Sequence, residues 1–177
     1  MQCKIGIFQI TTKGGNILQN IQEDFSQKYD TYSSIIFKIA MTYMGNTADA
    51  EDVMQEVFMR LLYKSPKFKN TEHEKRWIIR TTSNVCKDIL KRFDRKFSLN
   101  IDDVSKYLSV PFEYSNAEIL FSLKPEYRMA LYLRYYDNYS VEEIAEILSI
   151  SVSAVKMRLK RGRDKLKLDI EKGEIYE

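Results

Sequence analysis

The sequence predicts an all-α chain of two small helical domains joined by a flexible linker, and three observations predict it. Only six Gly and three Pro interrupt 177 residues. Apolar side chains recur at helical spacing over long stretches, with few β-branched runs. Between Phe97 and Ala117 the composition turns mildly acidic and rich in Ser, Asn and Asp, with Pro111, and this stretch separates two periodic halves. Hydrophobic residues at 44% and charged residues at 30% describe a globular chain rather than a disordered one.

Residues 1–20 contain Gly14-Gly15 and no sustained pattern, so they read as a loosely ordered extension. The first domain spans 21–96. Its first helix runs from Ile21 to about Met44, with Phe25, Tyr29, Tyr32, Ile36, Ile39, Ala40 and Tyr43 on the buried side, and Gly45-Asn46 ends it. Thr47 caps the next helix, whose first turn places Asp49, Glu51 and Asp52 at the positive end of the helix dipole. Val53, Met54, Val57, Phe58, Leu61 and Leu62 repeat as adjacent pairs every four residues and form one wide apolar face. Glu51, Asp52, Gln55 and Glu56 therefore fall on the exposed side. Pro66 and Asn70 mark Tyr63 to Lys75 as a loop. A helix resumes from Arg76 to Arg92, with Trp77, Ile78, Thr81, Val85, Ile89 and Leu90 inward and Arg80, Asn84, Lys87, Lys91 and Arg92 outside.

The linker covers 97–117 and the second domain 118–170, with a tail at 171–177. Pro125 suits the first turn of a helix that ends at Tyr136, and Asp137-Asn138 turns the chain. Ser140 and Glu143 are spaced for a capping box, so a helix begins at about Val141, with Ile144, Ala145, Ile147 and Leu148 as its apolar stripe. Ser149-Ile150-Ser151 interrupts that stripe, with Ile150 filling the space between helices, and a second helix starts near Val152. From Val152 to Lys167 seven Lys or Arg face the single acid Asp164, while Val155, Leu159 and Leu166 remain for packing. A capped helix, a short turn and a basic second helix make a helix-turn-helix, a motif that sets its second helix in the major groove.

The net charge of +3 hides strong local asymmetry. From Lys64 to Lys96 there are eleven Lys or Arg against four Asp or Glu, whereas from Thr47 to Leu62 four acids face Arg60 alone. Two basic surfaces and one acidic surface suggest DNA together with a basic protein partner. Aromatic residues among cations beside a loop suit unpaired bases, because rings stack on base faces while cations track phosphates. Cys3 and Cys86 have no metal-ligand spacing and read as reduced thiols. No cofactor and no metal is expected. The N-terminal IGIFQI is too short for a signal peptide and no apolar run approaches the ~20 residues of a membrane span, so a cytoplasmic protein without direct membrane insertion is expected.

The stretches ADAEDVMQEVFMRLLY, EKRWIIRTTSNVCKDILKR and LKPEYRMALYLRYYDNYSVEEIAEILSISVSAVKMRLKRGRDKL resemble, in that order, regions 2 and 4 of extracytoplasmic-function sigma factors. These are the small promoter-recognition subunits of bacterial RNA polymerase. The resemblance spans roughly Glu23 to Leu168. It implies a sigma factor that binds core RNA polymerase, directs initiation at a subset of promoters, helps melt the DNA and catalyses nothing itself. Asp49, Glu51, Asp52, Gln55 and Glu56 match the segment that docks on the clamp helices of the largest subunit; the flap of the second-largest subunit is the further polymerase contact. Lys67, Phe68, Asn70, Arg76, Trp77, Arg80, Asn84 and Lys87 match the part that opens and reads the minus-ten element, where a base leaves the stack and enters a loop pocket.

The second domain matches the reader of the duplex minus-thirty-five element. By position, Lys156, Met157, Lys160 and Arg161 face base edges, and Ser153, Arg158 and Arg163 face phosphate. The family also implies promoter DNA and an anti-sigma factor as partners. The chain departs from the common family pattern at Ser149 for Gly, Ala154 for Thr and Gly162 for Ala. Ser149 is expected to strain the turn, Ala154 to remove a hydroxyl contact, and Gly162 to weaken its helix by ~1 kcal/mol. Two rival readings compete on the residues themselves. A stand-alone helix-turn-helix transcriptional regulator with an N-terminal sensing or dimerisation domain predicts an apolar, self-complementary N-terminal surface, which the acidic helix disfavours. An enzyme acting on nucleic acid lacks a partner cluster for His73, the one histidine.

Overall fold

Apolar stripes at three- and four-residue spacing fold into helices α1 (Gly15–Met44), α2 (Thr47–Lys64) and α3 (Thr71–Arg92), followed by a short α4 (Ile101–Tyr107) and by α5 (Pro125–Tyr135), α6 (Val141–Leu148) and α7 (Val152–Gly173). This computed structural model describes residues 15–92, 99–107 and 120–173, and no strand occurs among the described residues. The expectations for residues 1–14, including Cys3, and for the central part of the linker lie outside them.

Helices α1, α2 and α3 pack as a three-helix bundle. Tyr32, Ile36, Ile39, Ala40 and Tyr43 of α1 meet Val53, Val57, Phe58 and Leu61 of α2 and Ile78, Ile79, Val85 and Cys86 of α3, all buried. Phe25 and Tyr29 extend the contact by packing their rings against Phe58, at centroid distances of 5.7 and 4.9 Å. Burial pushes the Cys86 thiol far above the ordinary thiol range, so it stays protonated and unreactive.

Three element boundaries differ from the sequence reading, two of them for a capping reason. Helix α1 starts at Gly15 rather than Ile21, because nothing between Asn16 and Asn20 breaks it. The cap of α2 is Asn46 rather than Thr47: its side-chain oxygen accepts from the Asp49 N–H at 2.9 Å. Helix α3 starts at Thr71 rather than Arg76, since Asn70 accepts from the His73 N–H at 2.8 Å and acts as a cap instead of a breaker. The loop thereby shrinks to residues 65–70.

Part of the linker is ordered against the first lobe. Asp103 on α4 accepts from both the backbone N–H and the hydroxyl of Thr47, at 2.9 and 2.8 Å. The Asn100 N–H donates to the Gly45 carbonyl at 2.9 Å, and Val104 is fully buried. Thr47 thus takes its place in the first turn of α2 by giving its donors to α4.

Helices α5, α6 and α7 form the second lobe. The capping box on α6 has both halves: Glu143 N–H donates to the Ser140 hydroxyl at 3.2 Å and Ser140 N–H to the Glu143 carboxylate at 2.9 Å. Helix α6 ends at Ser149, which holds left-handed backbone angles of φ 54° and ψ 49°. That conformation costs a residue with a Cβ roughly 1 kcal/mol. Ser149→Gly should relieve it and, after the extra freedom of glycine in the unfolded chain, raise the thermal midpoint by about 2 °C; a melting scan showing no rise would remove the strain argument. At Gly162 a Cβ would lie 2.9 Å from Leu131 Cδ1, so a larger residue there would require the end of that side chain to shift.

The two lobes share one continuous core. Its pin is Arg128 on α5, a buried cation whose Nε donates to the Thr42 carbonyl at 2.8 Å and whose Nη2 donates to the Tyr43 carbonyl at 3.1 Å, at the C-terminal end of α1. Nη1 donates to the carbonyls of Leu123 and Phe121 at 2.7 and 3.1 Å. The guanidinium also lies 4.2 Å from the Phe121 ring centroid. Desolvation lowers its pKa to about 10, so it remains charged at neutral pH. The negative end of the α1 dipole and the ring face both favour the charged form in that buried position.

Candidate functional site

Two surfaces carry the residues singled out in the sequence. The first is the outer face of α2. Glu51, Asp52, Gln55 and Glu56 are exposed there, while Asp49 is half-buried and its carboxylate accepts from the Asn46 side-chain amide at 2.9 Å. Glu56 pairs with Arg60 one turn later at 2.8 Å. The same face continues into side chains that sequence reasoning missed. Met59 is 51% exposed, Leu62 43% and Tyr63 75%. Leu62, expected on the apolar core face, sits instead at the border where the buried stripe gives way to this surface. Positions 52, 55, 56, 59 and 63 follow three- and four-residue steps, and that spacing was the available signal. The result is a helix face that is acidic at its N-terminal end and apolar at its C-terminal end.

The second surface is basic and draws on both lobes. In the loop before α3, Lys67 is exposed and Phe68 is half-buried, edge-on to Trp77 at 5.5 Å and to His73 at 5.8 Å. The Lys28 ammonium lies 5.8 Å from the Phe68 ring centroid and pairs with Glu74 at 3.0 Å. Trp77 is half-buried, so it serves packing and retains some accessible ring. Asn70 is spent on the α3 cap, and Asn84 is exposed.

Arg80, expected to project outward, is half-buried, and so is Arg76. Arg76 meets Glu72 on its own helix at 2.9 Å, and Glu143 and Glu146 on α6 at 2.9 and 2.6 Å. Arg80 donates through Nε to the Ile147 carbonyl at 2.8 Å and through Nη2 to the Glu146 carbonyl. Lys75 lies 5.4 Å from the Tyr139 ring centroid. Lys87 is half-buried; burial lowers its pKa and the nearby charge of Arg158 on α7 lowers it further.

On α7, Ser153, Lys156, Met157, Lys160, Arg161 and Arg163 are exposed, and Arg158 is half-buried toward the first lobe. Ser151 accepts from the Ala154 N–H at 3.2 Å and so opens the helix. Arg161 donates to the Tyr127 hydroxyl at 3.4 Å and Arg163 to the Tyr135 hydroxyl at 3.2 Å, so tyrosines of α5 orient both cations. Among the described residues no group of His, Cys, Asp or Glu is arranged to hold a metal ion. No helix among them is long and apolar enough to cross a membrane.

The model for Sigma-70 region 2 matches residues 29–96, and the model for Sigma-70 region 4 matches residues 113–166. The chain is 28% identical over 165 residues to the ECF RNA polymerase sigma factor SigW of Bacillus subtilis (strain 168), covering 82% of this chain and 88% of that protein. It is 26% identical to the ECF RNA polymerase sigma factor SigX of the same organism, over 85% of this chain and 86% of that one. In fold it resembles the sigma factor RpoE from Bartonella quintana, solved with the anti-sigma factor NepR, at a TM-score of 0.61 and 19% identity over 84% of this chain and 98% of that one. It also resembles CnrH, solved with the cytosolic domain of CnrY, at a TM-score of 0.60 and 24% identity, over 87% of this chain and 94% of that one.

Proposed function

Because the chain belongs to the extracytoplasmic-function branch of the sigma-70 family and is a sigma factor that directs transcription initiation, we propose how its surfaces divide that work. The outer face of α2 docks on core RNA polymerase, with Glu51, Asp52, Gln55 and Glu56 meeting a basic surface of the clamp helices and Met59, Leu62 and Tyr63 supplying apolar area beside them. Charge steers the encounter, and the aromatic and Met side chains give it dwell time. Asp49 contributes through the α2 cap, which fixes the direction of that face. The segment of Lys67, Phe68, Asn70, Arg76, Trp77, Arg80, Asn84 and Lys87 engages the minus-ten element, where ring faces capture an unstacked base and cations hold the strand.

Helix α7 reads the minus-thirty-five element in duplex form. Lys156, Met157, Lys160 and Arg161 face base edges, and Ser153, Arg158 and Arg163 contact phosphate. An arginine bidentate to guanine supplies ~1–3 kcal/mol of discrimination, whereas phosphate contacts supply affinity without sequence choice. The flap of the second-largest subunit holds this lobe at the right distance, and an anti-sigma factor that covers the polymerase-binding faces restrains the protein. It works in the cytoplasm, beside the polymerase, and performs no catalysis of its own.

The observation that supports this reading best is the sorting of opposite charges onto separate helices, acids on the outer face of α2 and cations on α7 and the α2–α3 loop. Adding the purified protein to core polymerase should yield promoter-dependent transcripts whose upstream sequences share two elements. Transcription that is identical with and without the protein on genomic templates refutes it. Arg161→Ala is expected to leave polymerase binding unchanged and to reduce discrimination between matched and mismatched minus-thirty-five sites by roughly tenfold. Equal loss on every promoter in run-off assays would place Arg161 on phosphate instead.

A further inference from the structure

Resting on the minus-ten reading above, we infer that His73 is a positioning residue whose neutral imidazole holds the Phe68 loop ready to capture an unstacked base. Asn70 is the N-cap of α3 and His73 stands three residues later, the place from which a side chain can reach back past the cap. It does so here. The Lys69 N–H donates to His73 Nδ1 at 3.2 Å, while the His73 N–H donates to the Asn70 side-chain oxygen at 2.8 Å. The loop is thus tied to the first turn of α3 at two consecutive residues, and both ties end on His73. The imidazole also meets the Phe68 ring edge-on at 5.8 Å, and Phe68 closes on Trp77 one turn further along at 5.5 Å. His73 therefore fixes Phe68 twice, through its ring and through the backbone of the next residue, Lys69. A capture loop that is already ordered loses less freedom when the base arrives.

The tie to Lys69 depends on one proton. An imidazole whose Nδ1 accepts carries its hydrogen on Nε2; with a second proton both nitrogens are donors and Nδ1 has no lone pair left for Lys69. The bond is present while the ring is neutral and is lost as pH falls through the range of about 5 to 8 in which histidines titrate. The charged groups on the elements packed around the ring are Lys67 and Lys69 in the loop, Glu72, Glu74 and Arg76 on α3, and Lys28 with Asp24 on α1. Glu72 is engaged with Arg76 at 2.9 Å, and Glu74 with Lys28 at 3.0 Å and with the Tyr32 hydroxyl at 3.3 Å. Lys28 also meets Asp24 at 3.7 Å and lies 5.8 Å from the Phe68 ring centroid. An imidazolium added to this cationic surface would attract phosphate of any sequence, so charge alone predicts tighter template binding in acid. Loss of the tie predicts that base discrimination weakens in acid, and the two effects are separated by comparing sequences.

The test uses holoenzyme assembled from the full chain and core polymerase, on a promoter located by transcript mapping and on the same promoter with its minus-ten bases replaced one at a time. Open complex is followed by the fluorescence of 2-aminopurine beside the minus-ten element. The ratio of matched to mismatched promoter cancels the polymerase's own response to pH. For the parent this ratio should fall about fivefold between about pH 7.5 and 6, the worth of one net hydrogen bond. His73→Phe keeps a ring against Phe68 and removes the acceptor, so its ratio should be about fivefold low at the higher pH and should not change with acid. His73→Gln, whose side-chain oxygen can accept from that position without titrating, should keep the parent's ratio at both pH values. A parent ratio that does not fall overturns the inference, as does a fall of the same size in either variant or a His73→Phe ratio equal to the parent's at the higher pH. If His73→Phe does not fold, the flat response of His73→Gln against the falling parent decides it. Absence of any promoter-dependent transcript with the parent refutes the sigma-factor reading, and Phe68→Ala that discriminates as well as the parent refutes the minus-ten assignment. Discrimination by the parent that ignores pH, with Phe68→Ala defective, refutes the role of His73 alone.

Discussion

Replacing Arg128 by Ala is expected to lower the unfolding free energy by at least ~3 kcal/mol, a large share of the ~5–15 kcal/mol typical of a domain. Four carbonyls lose donors at once: Thr42 and Tyr43 on α1, and Phe121 and Leu123 ahead of α5. Each acceptor left buried without a partner costs ~1–3 kcal/mol, and the removed side chain leaves a void beside Phe121. Arg128→Lys should recover little, because an ammonium is a single point of donation and cannot span acceptors arranged around a planar fork. Urea titration followed by helical circular dichroism checks both variants. A midpoint within the equivalent of ~1 kcal/mol of the parent would mean that water replaces the guanidinium without penalty.

Neutralising Glu51, Asp52 and Glu56 together, as Gln, Asn and Gln, is expected to reduce affinity for core polymerase by more than roughly a hundredfold while leaving the thermal midpoint within a few degrees. All three side chains are exposed, and Glu56 has a partner, Arg60, in a surface pair that contributes at most ~1 kcal/mol. Charge pairs across an interface carry far more than that when desolvated by the partner. Co-purification with tagged core enzyme, backed by a competition titration against the parent, reads the loss. Retained binding would move the docking surface off this face of α2, and Met59→Ala with Tyr63→Ala would then show whether the apolar half carries it.

Fold class and helix order were legible because the apolar spacing of Tyr32, Ile36, Ile39 and Tyr43, and of Val53, Val57 and Leu61, could fit only one buried face of a helix. The capping box of Ser140 and Glu143 was legible for the same local reason: both partners lie within one turn. Caps that recruit a distant residue were not. Thr47 looks like an N-cap by sequence, yet its donors go to Asp103, 56 positions away. Arg128 escapes a periodicity argument because helical periodicity reports a face, whereas the whole run from Arg128 to Leu133 is buried on all sides; a cation inside such a run is itself the sign of a satisfied internal partner. The exposure expected for Arg80 and Lys87 is curtailed for a tertiary reason, since the second lobe partly covers that side of α3. Residue type and spacing place a side chain on a helix face, but they say nothing of which neighbour arrives to cover it.

The anchoring of α4 has a bearing on the corner between α1 and α2. With Asn100 and Asp103 tied to Gly45 and Thr47, that corner is clasped from outside, so the direction in which α2 leaves α1, and with it the aim of its acidic outer face, depends on α4 as well as on the α2 cap. Releasing Asp103 would let the corner splay and re-aim the whole face without altering any side chain on it.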